Sequence, residues 1–255
     1  MAVELTRLDE FALITLNRPE AMNALSFQII RDIGIAIDEA LLTDARALFF
    51  TGAGEKAFCA GADIKELRNR SLAEQRDGAE LGQAVFAKLD RAAVPSFALI
   101  NGYAFGGGLE LALACTFRIG AQNAKMGLPE IKLGLIPGYG GTQRLPRMVG
   151  EAKALELIMS GRTVGAEEAL NLGLINQLSI DDLLADGLAY ARQVTCYSLP
   201  SLKFARDAVR RGMETNLNEG LKIEADLSTL AYRTIDAEEG MAAFEEKRKP
   251  EFCDA

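Results

Sequence analysis

The chain has 255 residues, 49% of them hydrophobic and 25% charged, the balance of a packed globular protein with one large domain or a domain and a small appendage. Its 36 acidic against 28 basic residues give a net charge of −8, which argues against nucleic acid, whose binding rests on neutralising phosphates with Lys and Arg. It has no histidine, so Ser-His-Asp and Cys-His catalysis are excluded together with most zinc and non-haem iron sites. Acid–base chemistry near neutral pH therefore falls to Asp, Glu, Tyr, Lys or Cys.

The N-terminal MAVELTRLDE carries charges where a secretory signal needs an apolar run, and Arg31 and Asp32 interrupt the apolar stretch from Ile29 to Ile37. The expectation is a cytoplasmic protein, or one of an organelle matrix if a presequence has been removed, with no membrane partner. Cys59, Cys115, Cys196 and Cys253 form no CxxC pair, so neither a disulfide framework nor a metal site is expected.

In chain order, VELTRL and FALITL predict a hairpin turning at Asp9-Glu10, and Ser26 predicts the cap of an amphipathic helix running to about Leu42. RALFFT (46–51) reads as a buried strand and GAGEKAFCAGAD (52–63) as a loop. Asp63 is placed to cap a short helix through Leu67, and a longer helix is predicted from about Ala73 to Arg91. SFALI (96–100) is a strand that enters NGYAFGGG, and LELALAC continues as a helix. FRIGA (117–121) is a strand, MGLPEIKLGLIPGYGG a loop, and from Thr142 onward the chain is nearly all helical apart from one short strand near LINQL. Strands alternating with helices predict an α/β fold. The division expected is a core over residues 1–195 and a helical C-terminal extension over 196–255.

Two familiar glycine motifs fail here. No Gly-Lys dipeptide supports a Walker loop, and neither glycine cluster completes G-x-G-x-x-G. Three glycines at a strand-to-helix turn still admit two uses: tight packing, or close approach of backbone N–H groups to a developing oxyanion. Glu110, in the first turn of an apolar helix, is either a favourable N-terminal charge or a functional carboxylate. Glu130, after Pro129, is either a solvated loop residue or its partner. Two carboxylates flanking one water can divide base and acid roles if their environments separate their acidities.

At these residues the chain resembles the crotonase (enoyl-CoA hydratase/isomerase) superfamily. The resemblance lies in AFCAGADIKEL (57–67), NGYAFGGGLEL (101–111) and GLPEIKLGLIPGYGGTQRL (127–145), with LNRPEAMNAL (16–25) and GMAAFEEKRKPEF (240–252) towards the ends. It implies a spiral of ββα units with a helical C-terminal region for trimerisation, and a homo-oligomer that is a trimer or a dimer of trimers. It implies an acyl-CoA thioester substrate, with no resident cofactor and no metal. By resemblance, the N–H groups of Ala62 and Gly107 form an oxyanion hole, Glu110 activates water for attack on C3, Glu130 delivers a proton to C2, and Gly138 leaves room beside that water. Ala60, Asp63, Ile64 and Lys65 would line the CoA path. Lys56 and Lys65 are candidate phosphate contacts, and Phe244 and Lys247 would reach a neighbouring subunit's CoA.

The chain departs from the family pattern at Leu128, where many hydratases have Gln, at Leu109 in place of a common Cys, and at Tyr139 between the glycines of the PGxGG stretch. The activity implied is hydration of a 2-enoyl-CoA in fatty-acid β-oxidation. Double-bond isomerisation, a specialised acyl group (branched, aromatic-pathway or carnitine-related) and a non-catalytic CoA- or RNA-binding role are the alternatives.

Overall fold

A computed structural model describes residues 2–255. The first elements are β1 (Val3–Leu8), β2 (Phe11–Leu16), α1 (Phe27–Leu41), β3 (Leu48–Gly52), β4 (Ala57–Cys59), α2 (Ile64–Leu67), α3 (Leu72–Arg91), β5 (Ser96–Ile100), β6 (Tyr103–Phe105) and α4 (Gly107–Ala114). They are followed by β7 (Phe117–Ala121), β8 (Lys125–Gly127), a 3-10 turn over Pro129–Leu133, α5 (Gly141–Val149), α6 (Glu151–Ser160), β9 (Val164–Gly165), α7 (Ala166–Asn171), β10 (Gln177–Ser179) and α8 (Leu183–Thr195). The remainder is helical: α9 (Leu199–Gly212), α10 (Leu217–Ala231) and α11 (Ile235–Glu246).

The strands form two sheets, β1-β2-β3-β5-β7-β10 and β4-β6-β8-β9. Apart from the β1/β2 hairpin and the β8/β9 edge, all pairings are parallel. Each repeat sends one strand into the large sheet and the next into the small one before turning into a helix: β3-β4-α2, then β5-β6-α4. This is the ββα architecture that the resemblance implies. The large sheet is cemented by a cross-strand ladder. Phe49, Phe97 and Phe117 are register partners on β3, β5 and β7, with ring centroids 5.1 Å apart at both steps. Stacked pairs of this kind add about 0.5–1.5 kcal/mol beyond their area burial. Tyr190 of α8 packs edge-on against Phe97 and Phe117.

Most predicted elements are present, including the Ser26 cap, which accepts from the Ile29 N–H at 3.1 Å, and the positive-φ turn at Asp9. The small sheet is new. Its strands β4, β6 and β8 are three residues each; β4 and most of β8 lie in segments expected to be loops, and β6 lies in the expected strand-to-helix turn. Such segments are too short to show a period, and paired neighbours rather than local propensity make them strands.

The chain divides into two compact units, the first ending at Tyr190 and the second beginning at Ala191, so the boundary falls within α8. In the second unit α9 and α10 pack closely where Gly212 meets Gly220. The buried Asp236 carboxylate of α11 accepts from the N–H groups of Cys253 and Asp254 at 2.7 and 3.0 Å, tying the C-terminal tail to that helix.

Candidate active site

The site begins where strands of the small sheet end. After β4 the chain runs through Gly61, at φ +106°, and Ala62 forms a parallel bridge with Leu25. In that bridge the Leu25 N–H donates to the Gly61 carbonyl at 2.7 Å and the Asp63 N–H to the Leu25 carbonyl at 2.8 Å. Both bonds use the edge facing Leu25, so the Ala62 N–H points from the opposite edge, with no acceptor among the described residues. After β6, Gly106 adopts φ +50° and ψ −125°, a conformation open to glycine, and α4 starts at Gly107. The Gly107 N–H is one of the first-turn donors without an intrahelical partner. Gly61 and Gly106 are in contact: a Cβ on Gly106 would lie 3.7 Å from the Gly61 Cα. Two neighbouring turns thus each offer one uncommitted N–H.

Glu110 lies one turn into α4 with 1% of its surface exposed. Its Oε1 accepts from the N–H groups of Tyr139 and Gly141 at 2.8 and 2.7 Å, and the Gly140 N–H makes a smaller contribution. Burial outweighs those donors, and together with the neighbouring Glu130 charge it pushes the Glu110 carboxyl up to about 7. Glu130, half-buried in the 3-10 turn, is raised by burial as well, and its Oε2 is withdrawn from solvent with no partner among the described residues. The other oxygen lies over the glycine turn, 2.8 Å from where a Gly106 Cβ would stand. Glu130 is therefore not a solvated loop residue. The structure brings together Glu110, Glu130 and the turn that carries Gly107, with the turn that carries Ala62 alongside.

Of the remaining candidates, Asp63 caps α2 by accepting from the Lys65 N–H at 3.1 Å, and pairs with Arg18 at 2.9 Å. The Arg18 hydrogen bond, foremost, holds its carboxyl below the usual range. Ala60 donates its N–H to the Met22 carbonyl, while Ile64, Lys65 and Lys56 are exposed along the same stretch. Gly138 has only the Ala79 methyl near its Cα face, so the space beside it is open. Phe244, 85% exposed, and Lys247, at φ +57°, belong to the second unit. Leu109 and Leu128 are buried, and Leu128 lies against Gly141 beside the Glu110 carboxylate. The Tyr139 ring is buried against Gly107 and, edge-on, against Phe86. Burial, then the Glu110 charge, pushes its phenol up to about 12.

Two supporting residues escape a reading of the sequence. Asn23, at φ +57°, donates to the carbonyls of Ala53 and Ala57 and fixes the 17–25 loop on β4. Asn101 exchanges hydrogen bonds with Gly52, joining β3 to the turn before β6. The one sequence signal for either is an Asn beside a glycine-rich or loop segment, which many surface turns share. Among the described residues, no cluster of three or more Asp, Glu or Cys is placed to hold a metal ion, and no helix is long and apolar enough to cross a membrane.

Free backbone donors beside a buried, weakly acidic carboxylate pair define a site able to polarise a carbonyl and move protons next to it. The chain belongs to the enoyl-CoA hydratase/isomerase family, whose model matches residues 7–255. It is 40% identical over 250 residues to the crotonyl-CoA hydratase of Syntrophomonas wolfei, covering 97% of this chain and 96% of that protein. It is 38% identical to the short-chain-enoyl-CoA hydratase of Clostridium acetobutylicum, covering 98% and 96%. The crystal structure of the Bacillus anthracis enoyl-CoA hydratase superposes with a TM-score of 0.94 at 34% identity, with both chains covered completely.

Proposed function

We propose that this protein adds water across the 2,3 double bond of 2-enoyl-CoA thioesters, with Glu110 and Glu130 as the acid–base pair. The observation that carries the reading is the Glu110 carboxylate, buried, held by consecutive backbone donors and raised to about 7 beside Glu130. A carboxylate in that state is basic enough to take a proton from water near neutral pH. Hydrogen bonds to Oε1 fix its direction. Glu130, raised by burial and with an unpartnered oxygen, is the second carboxyl beside it and the proposed proton donor.

The electrons balance as follows. Water loses a proton to Glu110 as its oxygen bonds to C3. The π pair moves towards C1, and negative charge develops on the thioester oxygen. The N–H groups of Ala62 and Gly107 receive that oxygen, and such a donor typically contributes ~2.7–4 kcal/mol of barrier lowering. The pair then returns to C2 and takes the proton of Glu130. Exchange with solvent restores both carboxyls.

The CoA lies along Ala60, Asp63, Ile64 and Lys65, with Lys56 and Lys65 available to phosphates, and Gly138 leaves room for the attacking water. The assembly is a trimer or a dimer of trimers, in which Phe244 and Lys247 meet a neighbour's CoA. Exposed Leu221, Leu230 and Phe244 in the second unit support burial against another copy. The purified protein mixed with crotonyl-CoA should bleach the conjugated thioester absorbance and yield a product heavier by one water. No bleaching, or a product of unchanged mass, would contradict the reading.

A further inference from the structure

Beyond the carboxylate pair, a half-buried cation without an ion pair stands near the glycine turn of the site. Gly78 and Gly82 are one turn apart on the same face of α3, and a Cβ at either would run into an aromatic ring, Phe27 at Gly78 and Tyr139 at Gly82. The two glycines thus form a shelf on which both rings rest. Tyr139 also lies on Gly107, with ring carbons 3.0 and 3.1 Å from where its Cβ would be, so the shelf adjoins the glycine turn of the site. Over the Phe27 ring, 4.1 Å from its centroid, sits the guanidinium of Arg70.

Arg70 is half-buried, and its Nη2 donates to the Glu74 carbonyl at 2.8 Å. Its Nε is withdrawn from solvent with no partner, and among the described residues Arg70 makes no ion pair. Neither nearby carboxylate touches it, although its charge acts through space on Glu74. Glu66 accepts from the Phe27 N–H at 2.7 Å, and Glu74 from the Ser71 N–H and hydroxyl at 2.7 and 2.8 Å. The Tyr139 hydroxyl has no partner among the described residues either, and the Arg70 and Glu66 charges both act on it. A guanidinium held in place on a ring, with no carboxylate in contact, keeps donors available for an anionic ligand. A planar guanidinium beside a phenol donor suits a carboxylate.

We propose that Arg70 and the Tyr139 hydroxyl bind a carboxylate at the far end of the acyl chain, making CoA monothioesters of unsaturated dicarboxylic acids the preferred substrates. This inference rests on the hydratase reading of the same pocket. It also gives Tyr139 a purpose: the bulky residue narrows the pocket while offering a donor to a polar chain end.

The test compares acyl chains of equal length with and without the terminal carboxylate. Turnover of glutaconyl-CoA is set against 2-pentenoyl-CoA, and binding of glutaryl-CoA against pentanoyl-CoA by calorimetry, so that affinity is read without any chemistry. Wild type should favour the carboxylated member of each pair by about tenfold or more, the worth of one charge-assisted bond. Arg70→Met should abolish that ratio, and Arg70→Lys should restore part of it. An unchanged ratio in Arg70→Met would overturn the proposal. So would an equal loss for both thioesters and for free CoA, which would assign Arg70 to the CoA phosphates. If glutaryl-CoA binds with the predicted preference while no thioester is hydrated, the hydratase reading fails and the recognition stands.

Discussion

Glu110 and Glu130 belong to neighbouring repeats of one architecture, yet their surroundings differ. Glu110 sits inside a regular helix, 1% exposed, with its Oε1 locked by two backbone N–H groups of the 139–141 turn. Glu130 sits in a short 3-10 turn, half-buried, with one oxygen unpartnered. A carboxylate held by backbone donors is fixed in direction, whereas one with a bare oxygen is free to turn; burial raises both, Glu110 to about 7. In the proposed hydration that difference in mobility separates two copies of one side chain, with the fixed carboxylate of α4 as base and the freer one of the adjoining turn as acid.

The largest effect should come from removing either member. Glu110→Gln and Glu130→Gln should each slow hydration by about 100- to 10,000-fold, the usual weight of a positioned acid or base, while circular dichroism stays native. Next comes Gly106→Ala, which places a methyl 2.8 Å from the Glu130 Oε1 at φ +50°. It should cost about 1–3 kcal/mol of stability, read as a lowered Tm, and most of the activity, because it moves the acid and the N–H donors together.

The contrast also has a pH signature. With Glu110 raised to about 7, kcat/KM should fall as pH drops through that value and the base becomes protonated. The stability consequence has the opposite sense. A carboxyl raised from 4.5 to about 7 binds its proton better in the folded state, so its contribution is complete below about pH 4.5 and is lost as pH rises through about 7. Glu110→Gln keeps an oxygen for the two N–H donors and removes that ionisation. The variant should therefore be more stable than wild type at pH 8, by up to ~3 kcal/mol, with the advantage shrinking towards pH 5. Urea unfolding at the two pH values measures it.

The smallest effect should be at Asp63, whose work is structural in both its contacts. Asp63→Ala removes the α2 cap and the Arg18 pair and should cost about 1 kcal/mol of stability. Its effect on activity should appear as a raised KM rather than a lowered kcat.

Much of the large sheet is legible in the sequence because its strands are short, mostly apolar segments bounded by turns, such as SFALI and, broken only by Arg118, FRIGA. The small sheet is not, because AFC, YAF and KMG owe their strand character to pairing with one another. At the site, the glycine turn and the inward carboxylate of an apolar helix mark Glu110. Glu130 is a weak candidate without the resemblance, since Pro129-Glu130 reads equally well as a surface turn. The donors that hold Glu110 come from residues 139–141, some 30 positions away, and no local pattern joins them. Arg70 is invisible for the same reason: its meaning depends on Phe27 and Tyr139 meeting two glycines of α3.

The measurement that tests the division of labour most directly is crotonyl-CoA turnover by wild type, Glu110→Gln, Glu130→Gln and the double variant, side by side. If the two carboxylates act as one acid–base unit, the double variant should be little slower than the slower single one. Near-normal turnover in either single variant, or losses that simply multiply in the double, would contradict a shared mechanism.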